Sequence, residues 1–171
     1  MRKPKGFSLV ELMIVVAIIL IIAVIAIPNL VRARMAANDS SAAGSIHAIN
    51  VAEVGYFGAY PTIGFSASLA VLGGADPCSP TSITACFIDN TLATNNGGSG
   101  KSGYSFAVTG SASSGSAIND QFYDTGTPIN SLSGTRAYCS TDDMVVRLQP
   151  AGTITQVSGY SACQALGPMS N

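Results

Sequence analysis

One carboxylate stands inside the greasiest part of the chain. Glu11 lies near the start of "KGFSLVELMIVVAIILIIAVIAIPNL", residues 5–30, where Leu12 to Ile27 is an unbroken run of Ala, Val, Ile, Leu and Met. A carboxylate held in lipid costs on the order of 2.5 to 3.5 kcal/mol at mid-bilayer and less near an end, so Glu11 requires a cation or a donor as partner.

The other groupings able to do chemistry are weaker. "GGSGKS", residues 97–102, has the ending of a phosphate-binding loop in Gly100, Lys101 and Ser102, but Asn95 stands where that loop needs glycine. A polar stretch precedes it and the strand-like "YSFAVTG" follows, so no helix N-terminus is available to cradle phosphate. Asp120, Asp124, Asp142 and Asp143 fall near the ends of expected strands, without the spacing that supplies calcium with its ~6 to 8 oxygen ligands; they read as solvated turn residues. His47 is the one histidine and Lys101 the one lysine beyond the apolar run, leaving no base paired with a nucleophile. The expectation is a protein that is not an enzyme and carries no cofactor.

Cys78, Cys86, Cys139 and Cys163 show no zinc-type spacing, so no metal is expected. Four cysteines allow three pairings, of which Cys78 with Cys86 and Cys139 with Cys163 is favoured because local closure is the simpler route. The chain-entropy argument assigns these loops about 2.6 and about 3.5 kcal/mol, and such bonds imply an oxidising compartment.

Charged side chains make up 10% of the 171 residues and the formal net charge is −1, so there is no electrostatic footprint for nucleic acid. Arg2, Lys3 and Lys5 precede the apolar run. A secretory signal peptide shares that basic start, but its apolar region is ~7 to 15 residues and ends in an A-x-A-like site, which "PNLVRARMAANDSS" does not offer. A plain anchor fits better: Phe7 to Leu30 would span about 36 Å as a helix, enough for a hydrocarbon core of ~30 Å. The basic flank predicts a cytoplasmic N-terminus and an exported body. Neither reading accounts for Glu11.

"KGFSLVELMIVVAII" resembles the N-terminal signature of type IV pilins and of the pseudopilins of type II secretion, matching a leader that ends at Gly6, a first mature residue at Phe7 and a glutamate at Glu11. The resemblance implies residues 1–6 as a leader peptide, cut after Gly6 by a membrane-embedded peptidase that also methylates Phe7, and a helix retained on the mature protein. It further implies the Phe7 amine of a neighbouring subunit as the partner of Glu11, and the need of a lipid-held carboxylate for that cation leads to the expectation that Glu11 sets axial register between subunits. Pro28 coincides with that family's helix-bending proline; by removing a donor and crowding the carbonyl of Val24, it predicts a kink or melted turn there.

The elements positioning these residues follow. Residues 7–60 are expected to form one long helix, apolar over 7–30 and amphipathic beyond, where Ile46, Ile49, Val54 and Phe57 share a face. Arg32 and Arg34 read as solvated, His47 as a packed or surface residue, and "NDS" at Asn38 as an undecided sugar acceptor. Pro61 to Ser102 reads as loop, with a short helix at Ser66 to Leu72. Strands are expected at Tyr104–Thr109, Ile118–Tyr123, Arg136–Cys139, Met144–Leu148 and Thr153–Val157. The fold class is therefore α+β: a long N-terminal helix packed on a C-terminal antiparallel sheet, pilin-like, with residues 61–171 as a globular head.

By resemblance the chain is a structural subunit of a type IV pilus, a homopolymer built with a prepilin peptidase and methyltransferase and an inner-membrane assembly platform. It would sit single-pass in the inner membrane with its N-terminus cytoplasmic, then in an extracellular filament. The alternatives are a type II secretion pseudopilin or minor pilin and, from another class, a monomeric membrane-anchored binding module.

Overall fold

The computed structural model describes residues 6–169. Residues 1–5 of the expected leader, and 170–171 of the expected head, lie outside the described residues. The chain divides into two compact units, Met1–Arg34 and Met35–Asn171.

In the first unit, helix α1 (Leu9–Ala59) begins after an irregular Gly6–Ser8. Its start is written in "SLVE": the Glu11 carboxylate accepts the Ser8 amide N–H at 3.0 Å, the reciprocal half of a capping box. From Leu9 to Leu30 the helix is covered by nothing of its own chain among the described residues, and every large apolar side chain there is about half exposed or more. Such a surface is stable against lipid or against other apolar helices, not against water. The helix runs unbroken through Pro28, so the melted turn expected between Val24 and Pro28 is absent. Beside that proline, the Asn29 amide Nδ2 donates to the carbonyl of Ile25 at 3.1 Å, so a polar side chain finds its partner inside its own helix.

In the second unit, the rest of α1 covers a four-stranded antiparallel meander. Its strands are β1 (Tyr104–Ser111), β2 (Gln121–Pro128), β3 (Tyr138–Thr141) and β4 (Arg147–Leu148), in the order β1-β2-β3-β4. Tyr104, Phe106 and Val108 alternate inward from β1 and meet Ala42, Ile46, Ile49, Ala52 and Tyr56 of α1 in one core. Phe106 lies opposite Gly126, where a Cβ would stand 3.0 Å from the Phe106 ring and 3.4 Å from Ile46; the missing side chain lets helix and sheet close up. Short helices α2 (Leu69–Leu72) and α3 (Asn90–Ala93) interrupt the connection to the sheet, and α4 (Tyr160–Gln164) follows it. The Asp89 side chain caps α3 by accepting the Leu92 N–H at 2.9 Å.

Several expectations need correction. The buried face of α1 does not include Val54, which is 54% exposed; it is carried by Ala42, Ser45, Ile46, Ile49, Asn50, Ala52, Glu53 and Tyr56. The buried positions recur every three or four residues from Ala42 to Tyr56 as one helical stripe, and Val51 and Val54 fall outside it and face outward. The second strand starts later than Ile118 and runs on to Pro128, because Asp120 takes the Ser113 amide at 2.6 Å and so closes the 113–120 turn. The fourth shrinks to Arg147–Leu148 behind a turn at Met144, whose φ is +59°. Thr153–Val157 forms no strand; Val157 packs instead against Cys139 and Cys163.

Candidate functional site

The residues singled out at the N-terminus stand together at one open end of α1. Gly6 and Phe7 lie before the first helical turn, and Phe7 is 80% exposed. A peptide bond must be reached in an irregular or extended form to be cut, and the Gly6–Phe7 bond meets that condition. A Cβ built on Gly6 would meet nothing within 4 Å, so this chain's own packing does not require glycine there. Glu11 directs its carboxylate back toward the helix start, onto the Ser8 amide. An acid in the first turn complements the positive end of the helix dipole. The capping role is one that the sequence reading missed, although the Ser8-to-Glu11 spacing signals it. Pro28 lies about five helical turns beyond Glu11, within the exposed apolar stretch and away from these groups. Arg32, Arg34 and His47 are exposed.

The four cysteines are joined as Cys78–Cys86 and Cys139–Cys163. The second bond ties β3 to α4 and sits in a small core with Val157 and Leu166. The first closes a loop whose base hydrogen-bonds to the α2 region, with Ala85 N–H donating to the Val71 carbonyl at 2.7 Å and Phe87 N–H to the Leu72 carbonyl at 2.7 Å.

Three of the four aspartates do turn work of a specific kind. Asp120 holds Ser113. Asp142 accepts the Tyr160 hydroxyl at 2.5 Å. Asp143 accepts from Arg147, Thr141 and the Val145 amide, and the Arg147 guanidinium keeps its carboxyl below the usual carboxylate range. Asp124 overturns the reading as a solvated turn residue: it lies within β2, fully buried, opposite Val108 on one side and Ser140 on the other, on the face that meets α1. Neither of its carboxylate oxygens has a partner among the described residues, and burial pushes its proton affinity well above the ordinary value, with the charge of Glu53 adding to it.

Glu53, also fully buried, was not anticipated. It accepts the Ser66 amide at 2.9 Å and the Ser66 hydroxyl, so the last turns of α1 are fastened to the loop that follows. Burial raises its pKa to about 7 against the lowering effect of those Ser66 bonds. Beside it Asn50 donates to the Ser140 hydroxyl at 2.9 Å and keeps an unpartnered Oδ1. Asn50, Glu53 and Asp124 therefore form a polar patch under the helix in which the unmet atoms are all acceptors, the pattern expected where a carboxyl group keeps its proton.

Elsewhere, Lys101 of "GGSGKS" pairs with Asp89 at 3.3 Å in a turn that leads into β1. The Asn38 amide of the "NDS" sequence donates to the Ser133 carbonyl at 2.7 Å, so its nitrogen is already engaged. Among the described residues no three His, Cys, Asp or Glu side chains gather as metal ligands.

Residues 1–27 match the family described as the prokaryotic N-terminal methylation motif. The chain is similar to the type IV wide pilus major component PilA4 of Thermus thermophilus, at 60% identity over 40 residues, which is 23% of this chain and 30% of that protein. It is also similar to the type IV major pilin protein PilA of Myxococcus xanthus, at 45% identity over 55 residues, 32% of this chain and 25% of the relative. The chain thus spans less than a third of the length of each of these curated relatives. No solved structure matches it significantly.

Proposed function

We propose, from the N-terminal methylation motif and the two pilin relatives, that this chain is a structural subunit of a type IV pilus, made as a prepilin with a short leader. The observation that carries the proposal is an apolar helix face from Leu9 to Leu30 with no cover of its own, headed by an accessible Gly6–Phe7 bond. Held in the inner membrane, that face is satisfied by lipid; in a filament it is satisfied by the same face of other subunits. The exchange costs little because both environments surround it with apolar contacts. Energy for extraction comes from outside the chain.

The N-terminus supplies the rest of the mechanism. Cleavage after Gly6 makes the amine of Phe7 a new cation a few residues from Glu11. One oxygen of Glu11 accepts the Ser8 amide and the other has no partner among the described residues of the subunit, so a neighbouring subunit's amine can be received without breaking the cap. In an apolar bundle the attraction between a carboxylate and an ammonium is stronger than at a surface and either charge left unpaired is costly, so the pair fixes how far one helix advances past the next. The partners on this reading are identical subunits, a prepilin peptidase and methyltransferase, and an inner-membrane assembly platform. Mass spectrometry of the mature N-terminus tests it: a chain beginning at N-methylated Phe7, recovered in sheared surface fibres, is expected, and a chain beginning at Met1 or beyond residue 30 overturns it.

A further inference from the structure

Asn96 is followed by Gly97 in "TNNGGSG", residues 94–100, the only Asn-Gly step in the chain. Such a step sets a carboxamide beside the backbone amide of the next residue, with no side chain on that residue to shield it. What holds each group decides whether the two can meet.

The other asparagines among the described residues are restrained. The side-chain amides of Asn29, Asn38, Asn50 and Asn119 each donate to an oxygen at 3.1 Å or less. Asn130 Oδ1 accepts the Leu132 amide at 2.9 Å and the Ser133 hydroxyl at 3.0 Å. Asn95, immediately before Asn96, clamps the free edge of β1: its Nδ2 donates to the Phe106 carbonyl at 2.8 Å and its Oδ1 accepts the Phe106 N–H at 2.7 Å. Asn90 lies in α3 and is followed by Thr91, whose β-branched side chain crowds the next amide.

Asn96 differs on every count. It is exposed, and its carboxamide has no partner among the described residues. The Gly97 N–H reaches only Thr94 Oγ1 at 3.4 Å, a long and weak contact. A Cβ built on Gly97 would meet nothing within 4 Å, so water has access to this amide. The turn is closed by bonds on either side that leave the Gly97 amide unused: the Asn96 N–H donates to the Thr91 carbonyl at 2.7 Å, and the Asn95 carbonyl accepts the Gly98 and Gly100 N–H groups at 2.9 and 2.7 Å.

We propose that Asn96 is a site of selective, spontaneous deamidation in the folded head. The Gly97 nitrogen attacks Asn96 Cγ, forming an N–Cγ bond; the Cγ–Nδ2 bond breaks and ammonia leaves with the proton lost by Gly97. Water then opens the five-membered imide. Hydrolysis of the new N–Cγ bond gives aspartate, and hydrolysis of the original peptide bond gives isoaspartate. Either product places a further negative charge on a chain whose formal net charge is −1, on an exposed turn where solvent receives it. Isoaspartate also adds one methylene to the main chain inside the turn that the Asn95 carbonyl closes, beside the clamp on β1. The proposal stands independently of the pilus reading, since it needs only the folded head and water.

The full chain in detergent, held at pH 8 over several days, digested and sequenced by fragmentation mass spectrometry, tests it. The expected result is a mass gain equal to exchange of an amide NH2 for a hydroxyl, localised to Asn96 and divided between two chromatographic products, with the other asparagines unchanged. Asn96→Gln abolishes the gain, and Gly97→Ala slows it by about tenfold or more, because the added methyl shields the attacking nitrogen. An Asn96 that persists in the folded chain while the same chain in urea loses it overturns the proposal. Equal rates at Asn95, Asn119 or Asn130 in the folded chain overturn its selectivity, and a rate unchanged by Gly97→Ala overturns the imide route.

Discussion

The hydroxyl of Tyr104 on β1 donates to Asp39 Oδ1 on α1 across 2.6 Å and shares that proton with the Arg136 carbonyl at 2.8 Å. Asp39 in turn accepts the Thr135 amide at 3.0 Å and the Thr135 hydroxyl at 2.5 Å. One carboxylate thus ties the helix to the first strand and to the loop before β3. Burial, with the Asp39 bond, pushes the Tyr104 hydroxyl far above its usual range, so it stays a donor at every pH that the fold survives.

Tyr104→Phe removes the donor and leaves Asp39 short of one bond in a half-buried site. A loss of about 1 to 3 kcal/mol is expected, read as a lower urea midpoint for the full chain in detergent, with an unchanged denaturant slope.

Gly134 sits against the same pair: a Cβ there would fall 2.2 Å from the Tyr104 hydroxyl and 2.6 Å from Asp39 Oδ1. Gly134→Ala is therefore expected to destabilise the head at least as much as Tyr104→Phe. Combining the two should cost less than their sum, because both break one contact, and a double-mutant cycle measures the coupling.

Glu53 makes stability depend on pH in a defined direction. Its carboxyl binds a proton more tightly folded, with a pKa of about 7, than unfolded, near 4.5. Stability from this group is complete below the unfolded value, declines as pH rises through the window to about 7, and is flat above it; buried Asp124 acts in the same sense. Converted at ~1.4 kcal/mol per pH unit, the Glu53 contribution is on the order of 3 kcal/mol. Glu53→Gln keeps the size and an acceptor for the Ser66 amide, lets its amide nitrogen donate to the Ser66 hydroxyl in place of the second accepted bond, and removes the titration. Unfolding midpoints at pH 5 and pH 8 should differ for the parent chain, and the difference should shrink in the variant to the part that Asp124 contributes.

Asp143 works oppositely. Its pairing with Arg147 holds its proton affinity below the ordinary carboxylate value, so its contribution is present above the unfolded pKa and is lost as pH falls below it. The pair is partly exposed, so the effect is small after solvent screening, within about 1 kcal/mol. Asp143→Asn should free β4 without changing the pH 5 to 8 slope, measurable by amide exchange at Leu148.

Glu11→Ala separates membrane residence from assembly. The helix has ample apolar length without the acid, so the variant should insert and be processed at the normal level while filaments fall below detection; loss of one capping bond, worth about 1 kcal/mol or less, cannot by itself account for that. Quantifying membrane subunit against sheared fibres decides it, and normal fibre yield counts against a register role for Glu11.

The apolar run, its basic flank and the glycine, phenylalanine and glutamate at its head are local facts of sequence, and so was the long helix, because the tendency to form it needs no distant partner. The antiparallel class followed from alternation with turn signals. Pairing was another matter. Ile118–Tyr123 alternates as well as Gln121–Pro128 does, and only the register against β1, with Gly126 admitting Phe106, selects the latter. Thr153–Val157 alternates and finds no strand to join. On the helix, Val54 looks like core and Glu53 like surface, yet the sheet buries Glu53 and Asn50 and leaves Val54 outside. Which face is covered depends on how closely two surfaces from distant parts of the chain approach, and that is a property of their packing. Local sequence therefore determined the rod and its chemistry at the tip, while tertiary contact alone decided the buried acids and the strand register.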